Sequence, residues 1–73
     1  MKPVKRSVSI RGHRTSFSLE PEFWDALNEI ARARTIPLAA LVAQIDDARG
    51  ETQANLSSAL RVFVLNALRS RSN

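Results

Sequence analysis

The chain has no cysteine, a single histidine, two glycines and no long apolar run. Without thiols it can form neither disulfides nor thiolate metal sites. One histidine and no acidic cluster at ligand spacing leave no donor set for a metal. No segment approaches the roughly 20 apolar residues needed to cross a membrane. Ser7-Val-Ser-Ile10 is too short and too polar for the apolar core of a signal peptide. A soluble, cytoplasmic protein is expected. The glycines build no phosphate-cradling loop ahead of a helix. Eight serines are present, but the lone His13 sits in a basic loop with no carboxylate placed to orient it. The parts for nucleophilic catalysis are therefore missing, and a non-enzyme without cofactor or metal is expected.

What is present is short and unevenly charged. The 73 residues suffice for one small domain, a size at which oligomerisation is a common route to stability. The net charge of +4 is segregated. Residues 1–19 carry Lys2, Lys5, Arg6, Arg11 and Arg14 and no acid. Residues 20–54 hold all seven acids against three arginines, and residues 55–73 add Arg61, Arg69 and Arg71. A basic segment beside an acidic body suits a polyanionic partner on one face. An ordinary solubilising tail would produce the same charge pattern.

The segment Arg14-Thr-Ser-Phe-Ser-Leu-Glu-Pro21 alternates with period two: Thr15, Phe17 and Leu19 share one face, Arg14, Ser16 and Ser18 the other. That is the pattern of a half-buried strand. A lone strand leaves backbone groups unpaired, and a second copy of the chain is the simplest supplier of a partner. Residues 1–7 read as a mobile basic arm. Val8 and Ile10 share the parity of Ser16 and Ser18, so a bulge or turn is expected near Gly12.

Nearly everything after the strand reads as helix. Pro21 suits a first helical position, and Glu20, Glu22 and Asp25 complement the positive end of the dipole. Phe23, Leu27, Ile30 and Ala31 form an apolar stripe, widened by Trp24. Thr35-Ile-Pro37 breaks it and starts a second helix with Leu38, Leu41, Val42 and Ile45 on one face, ending near Arg49-Gly50. After the polar connector Glu51-Thr-Gln-Ala54, Asn55 is a good N-cap for a third helix. Its stripe is Leu56, Ala59, Leu60, Phe63, Val64, Ala67 and Leu68, with Val62 and Leu65 outside it.

The order basic arm, short strand, helix, helix resembles the ribbon–helix–helix family of dimeric bacterial DNA-binding proteins. Gly12-His-Arg-Thr-Ser-Phe-Ser-Leu-Glu-Pro-Glu-Phe-Trp24, with Asn55-Leu-Ser-Ser-Ala-Leu-Arg-Val-Phe-Val-Leu65, is more closely similar to a small group of bacterial domain proteins of that fold. The resemblance implies a mainly α fold with one short strand, paired antiparallel across an intertwined homodimer. It divides the chain into a basic arm with room for a short β segment (1–13), a ribbon–helix–helix core (14–49) and a connector with an added third helix (50–73).

It further implies a ribbon in the major groove of double-stranded DNA, with Arg14, Ser16 and Ser18 facing the bases. Phosphates would be held by Lys2, Lys5, Arg6 and Arg11, and by backbone donors of Leu38 and Ala39 at the second helix start. Pro37 and Ala39 stand where relatives often carry a polar side chain, which weakens that anchor. Thr15, Phe17, Leu19, Phe23, Trp24, Leu27, Leu41, Val42 and Ile45 are assigned to the dimer core. The expected function is sequence-specific DNA binding by a transcriptional repressor or autoregulator. The alternative is a protein-interaction module such as the antitoxin of a toxin–antitoxin pair, with a protein partner on the third helix.

Overall fold

The computed structural model describes residues 2–49 and 55–71. Two strands are followed by three helices: β1 (Val4–Ile10), β2 (His13–Leu19), α1 (Pro21–Ala33), α2 (Leu38–Arg49) and α3 (Leu56–Arg71). The strands pair antiparallel within the chain, from Ile10↔His13 at the turn to Val4↔Leu19 at the open end. Arg11 and Gly12 connect them with φ of 51° and 80°. Two consecutive left-handed residues form the tight hairpin link whose twist matches that of paired strands. Nothing stands within 4 Å of a Cβ built on Gly12, so its positive φ is what favours glycine there.

This hairpin corrects two expectations. Two strands are present where one was expected, and β2 pairs along one edge with β1 of the same chain. Residues 4–7, read as part of a mobile arm, belong to β1. The turn also resolves the parity clash. Reversal at Arg11-Gly12 sets Val8 opposite Thr15 and Arg6 opposite Phe17, so Val8, Ile10, Phe17 and Leu19 share one face.

The helix ends follow local chemistry. Pro21 opens α1, where its missing N–H is no loss. At the other end Ile36 N–H donates to Ala31 O (3.0 Å) and Thr35 N–H to Arg32 O (3.1 Å). This is the paired closure of a Schellman motif, with Thr35 in the left-handed position at φ 59°. Asn55 caps α3, its Oδ1 accepting from Ser58 N–H at 2.8 Å. Gly50 and the connector Glu51–Ala54 lie outside the described residues.

The core lies between the hairpin and the helices. Ile10, Phe17 and Leu19 meet Leu27 and Ala31 of α1, Leu41, Val42 and Ile45 of α2, and Leu56, Leu60 and Val64 of α3. Leu19, Leu27, Leu41, Val42 and Leu60 are wholly inaccessible to solvent in the single chain. Leu19, Leu27, Leu41 and Val42 were assigned to a dimer core, as were Phe17 and Ile45. All six are buried already within the single chain, where β1 lies beside β2 and α3 packs on the other helices. Thr15, Phe23 and Trp24 are half-buried around them. Trp24 meets Phe17 with ring centroids 6.2 Å apart, a distance at which tilted aromatic pairs attract.

One polar clasp joins distant parts of the chain. Arg61 of α3 donates from Nε and Nη2 to the two carboxylate oxygens of Glu20, at 2.8 and 3.1 Å. Glu20 is the N-cap residue of α1. The two-pronged hydrogen bond from Arg61, then a backbone hydrogen bond at Glu20 itself, hold this carboxyl below the usual carboxylate range. Among the described residues no helix is long and apolar enough to cross a membrane.

Candidate nucleic-acid interface

Alternation along the hairpin divides its side chains into two sets. Toward the helices point Arg6, Val8, Ile10, Thr15, Phe17 and Leu19. Away from them point Lys5, Ser7 and Ser9 of β1 and Arg14, Ser16 and Ser18 of β2, and all six are exposed. The register arranges these six in three rows: Lys5 beside Ser18, Ser7 beside Ser16, and Ser9 beside Arg14. In the middle row the two hydroxyls stand 3.5 Å apart. Small polar groups thus occupy four positions, with a cation at each end on opposite strands.

The chemistry of this face is that of hydrogen-bond exchange with a polar, anionic surface. Serine hydroxyls both donate and accept, and a guanidinium presents a rigid fork of donors. The face holds no acid. Its backbone edges differ: the turn bonds Ile10 to His13, so by alternation the N–H and C=O groups of Arg14, Ser16 and Ser18 point away from β1. Ser18 N–H is indeed taken by Ser57 Oγ of α3, at 3.2 Å. That contact anchors one end of β2 to the third helix.

The structure brings together Arg14, Ser16, Ser18 and Lys5, and separates the other expected phosphate ligands from them. Lys2 is exposed just ahead of β1. Arg6 lies on the opposite face, its guanidinium over the Trp24 ring at 4.6 Å, and its Nε is buried without a hydrogen-bond partner. It is a packing residue there, fixed by cation–π attraction. Arg11 is at the turn and pairs with Asp47 of α2, which offsets its charge. The N–H groups of Leu38 and Ala39 open α2, and the first α2 bonds to a preceding residue run from Ala40 and Leu41 to Pro37 O. Leu38 stands nine residues, or about 14 Å of helix, from Asp47 where the turn docks.

Sequence reasoning missed Ser7 and Ser9. Their signal was available in the alternation Lys5-Arg-Ser-Val-Ser-Ile10 followed by two residues and a second alternation. The two-residue spacing is a hairpin mark, although Arg-Gly lacks the usual asparagine or aspartate at the first turn position.

The hairpin is thus a two-stranded polar ribbon backed by helices, with Lys5 and Arg14 on its free face. The ribbon–helix–helix domain profile matches residues 3–68. The chain belongs to the ribbon–helix–helix domain family. No curated protein and no solved structure matches it at a significant level. Ribbon–helix–helix domains generally bind DNA as dimers, and the family match supports a DNA-binding role for this chain. The match spans both strands and all but the last turn of α3, so the third helix is part of the family unit here.

Proposed function

We propose that this ribbon–helix–helix protein is a sequence-specific binder of double-stranded DNA that acts as a homodimer, as a bacterial cytoplasmic repressor or autoregulator. The observation that carries the proposal is the exposed sheet face holding Arg14, Ser16 and Ser18 with no acid among its residues. Such a ribbon fits the major groove, where arginine can bridge guanine O6 and N7 and serine can pair with several bases. Lys2 and Lys5 supply phosphate contacts beside it. The Leu38 and Ala39 N–H groups at the α2 start are a second phosphate anchor, supported by the helix dipole. Arg6 and Arg11 are left out of this set because Trp24 and Asp47 engage them.

Selection of bound sites from random duplex DNA at several salt concentrations tests the proposal. Enrichment of a short two-fold-related site, with affinity falling steeply as salt rises, is the expected result. Salt-sensitive binding without enrichment would refute base reading. Lys5→Ala should weaken binding to all sequences alike and lower the salt slope by about one.

A second reading is favoured by one observation: Val62 and Leu65 of α3 are 55% and 51% exposed. An apolar strip on the third helix suits a protein partner, as in an antitoxin. Co-expression with the product of an adjacent reading frame, followed by co-purification, tests it. Loss of the complex in Val62→Asp/Leu65→Asp is expected under this reading.

A further inference from the structure

Two grooves flank the third helix. One lies between α3 and α1, holds about 730 Å³ and has Ile30, Arg34 and Arg71 in its walls. The other lies between α3 and α2, holds about 540 Å³ and has Ile45, Ala48, Arg49 and Val62 in its walls. Phe63 and Asn66 line both, so the two form one continuous channel along α3. No residue of the hairpin contributes to it.

We propose that this channel docks an acidic amphipathic helix of another protein. The proposal rests on the protein-partner reading given above, to which it adds the place, the secondary structure and the charge of the partner. It does not depend on DNA binding.

Shape supports a helical occupant. On α3 the lining runs from Ser58 to Arg71, which is about 20 Å of helix at 1.5 Å per residue. A trench of that length takes three to four turns of a second helix, anchored by apolar side chains at i, i+3, i+4 and i+7. Ile45 is buried and Phe63 half-buried, while Val62 on the rim is 55% exposed. Covering Val62 and Phe63 would remove apolar surface from water, the main driving force of association. A small molecule would need walls that enclose most of its surface. Here Arg34, Ala48, Val62 and Asn66 are all exposed, so the channel is too open for one.

Charge supports an acidic occupant. The walls carry Arg34, Arg49 and Arg71 against one acid, Glu29. Asp46 pairs with Arg49 at 2.6 Å, which reduces the excess at the α2 end. At the other end Arg34 and Arg71 are joined by Arg69, and α3 has no acid along its whole length. The Arg34 guanidinium lies over the Phe63 ring at 5.3 Å from its centre. A cation is thereby set beside the apolar middle of the channel. Cations at helix C-termini also complement the dipole, but these border exposed apolar walls, a surface that selects carboxylates and repels like charge.

The same charge disfavours a second copy of the chain. A two-fold contact sets a patch against itself, so the basic channel would face its own excess of arginine. Nucleic acid is a poor match as well, because Ile30, Ile45, Val62 and Phe63 offer a phosphate backbone no donor.

Selection of 15-residue peptides from a random displayed library on the intact chain tests the proposal. Enriched peptides should carry apolar residues at helical spacing with aspartate and glutamate between them. Affinity of one enriched synthetic peptide is then measured by fluorescence anisotropy for the wild type, Val62→Asp and Arg34→Glu/Arg71→Glu. All three positions are exposed, and circular dichroism checks that the variants are folded. Each variant should bind about 10-fold more weakly, the effect of losing and reversing two exposed charge pairs or of placing a carboxylate on the apolar rim. Sedimentation should show the same oligomeric state for the wild type and Val62→Asp.

Three results would overturn the proposal, and they differ in what survives. Peptides without acidic bias, lost in Val62→Asp but bound normally by Arg34→Glu/Arg71→Glu, would keep the partner reading and strike the acidic class. No enrichment, or enriched peptides insensitive to both variants, would strike the channel as a docking site. Dissociation of the protein's own oligomer by Val62→Asp would assign the channel to a second copy.

Discussion

The two faces of the hairpin share a backbone and differ in almost everything else. One has Val8, Ile10, Phe17 and Leu19 packed on three helices; the other has four serines, a lysine and an arginine in solvent. Because strand side chains alternate, neighbours in sequence belong to opposite sets. Phe17 is in the core and Ser16 and Ser18 on either side of it are not. Core packing and solvent exposure are thus assigned to alternate residues, and each face can be altered with little effect on the other.

The largest way to break that division is Phe17→Ala. Removing a buried aromatic side chain should cost about 3–5 kcal/mol, a large share of the 5–15 kcal/mol typical of a domain. Chemical denaturation should show the midpoint collapse, while Ser16→Ala on the other face moves it by less than about 0.5 kcal/mol. Similar losses for both would mean that the faces are assigned wrongly.

Arg14→Ala inverts the contrast. Its stability should match the wild type, and its discrimination between cognate and altered DNA should fall by about 1–3 kcal/mol. Equal losses of affinity on cognate and random duplexes would argue for a phosphate contact instead.

Thr35 sharpens the comparison from outside the sheet. A β-branched residue in the left-handed position of the α1 closure carries strain of about 1 kcal/mol. Thr35→Gly should therefore raise the unfolding free energy by up to about 1 kcal/mol and leave DNA binding unchanged. A lower melting temperature would count against the observed closure.

The smallest effect is expected at Glu20→Gln. The Arg61 hydrogen bonds hold the Glu20 carboxyl below its ordinary value in the folded protein. A depressed folded value adds stability above the unfolded one, and that stability is lost as pH falls through the folded value. The gap between wild type and Glu20→Gln should be widest near neutral pH and close on acidification below the carboxylate range. A gap independent of pH would show that the clasp does not stabilise through its charge.

Much of the helical part was legible. The 3.6-residue stripes placed Leu27 and Ala31, then Leu41, Val42 and Ile45, then Leu56, Leu60 and Val64 on inward faces, where all are buried. Pro21 and Asn55 marked helix starts through chemistry that acts within one turn. Val62 and Leu65 stood outside their stripe and are exposed, whereas Leu68, included in it, is 45% exposed near the end of α3. The strand partner was less legible. A parity clash near Gly12 pointed to a turn or bulge, and either was compatible with the residues.

The sequence by itself determined the local features of this protein: where helices begin, which faces are apolar, and that basic charge gathers in the first 19 residues. Those depend on contacts within a few residues, which composition and spacing carry directly. Only the tertiary structure decided that β1 pairs with β2, that Leu19, Leu27, Leu41 and Val42 are fully buried within the single chain, and that Arg6 stacks on Trp24 while Lys5 faces solvent. It also joined Glu20 to Arg61 across 41 residues. The reason is physical. A strand can satisfy its backbone groups against any compatible edge, and a side chain can pair with any complementary group brought near it. Which partner it meets is a property of the folded chain in space, set by one two-residue turn and by the packing of α3.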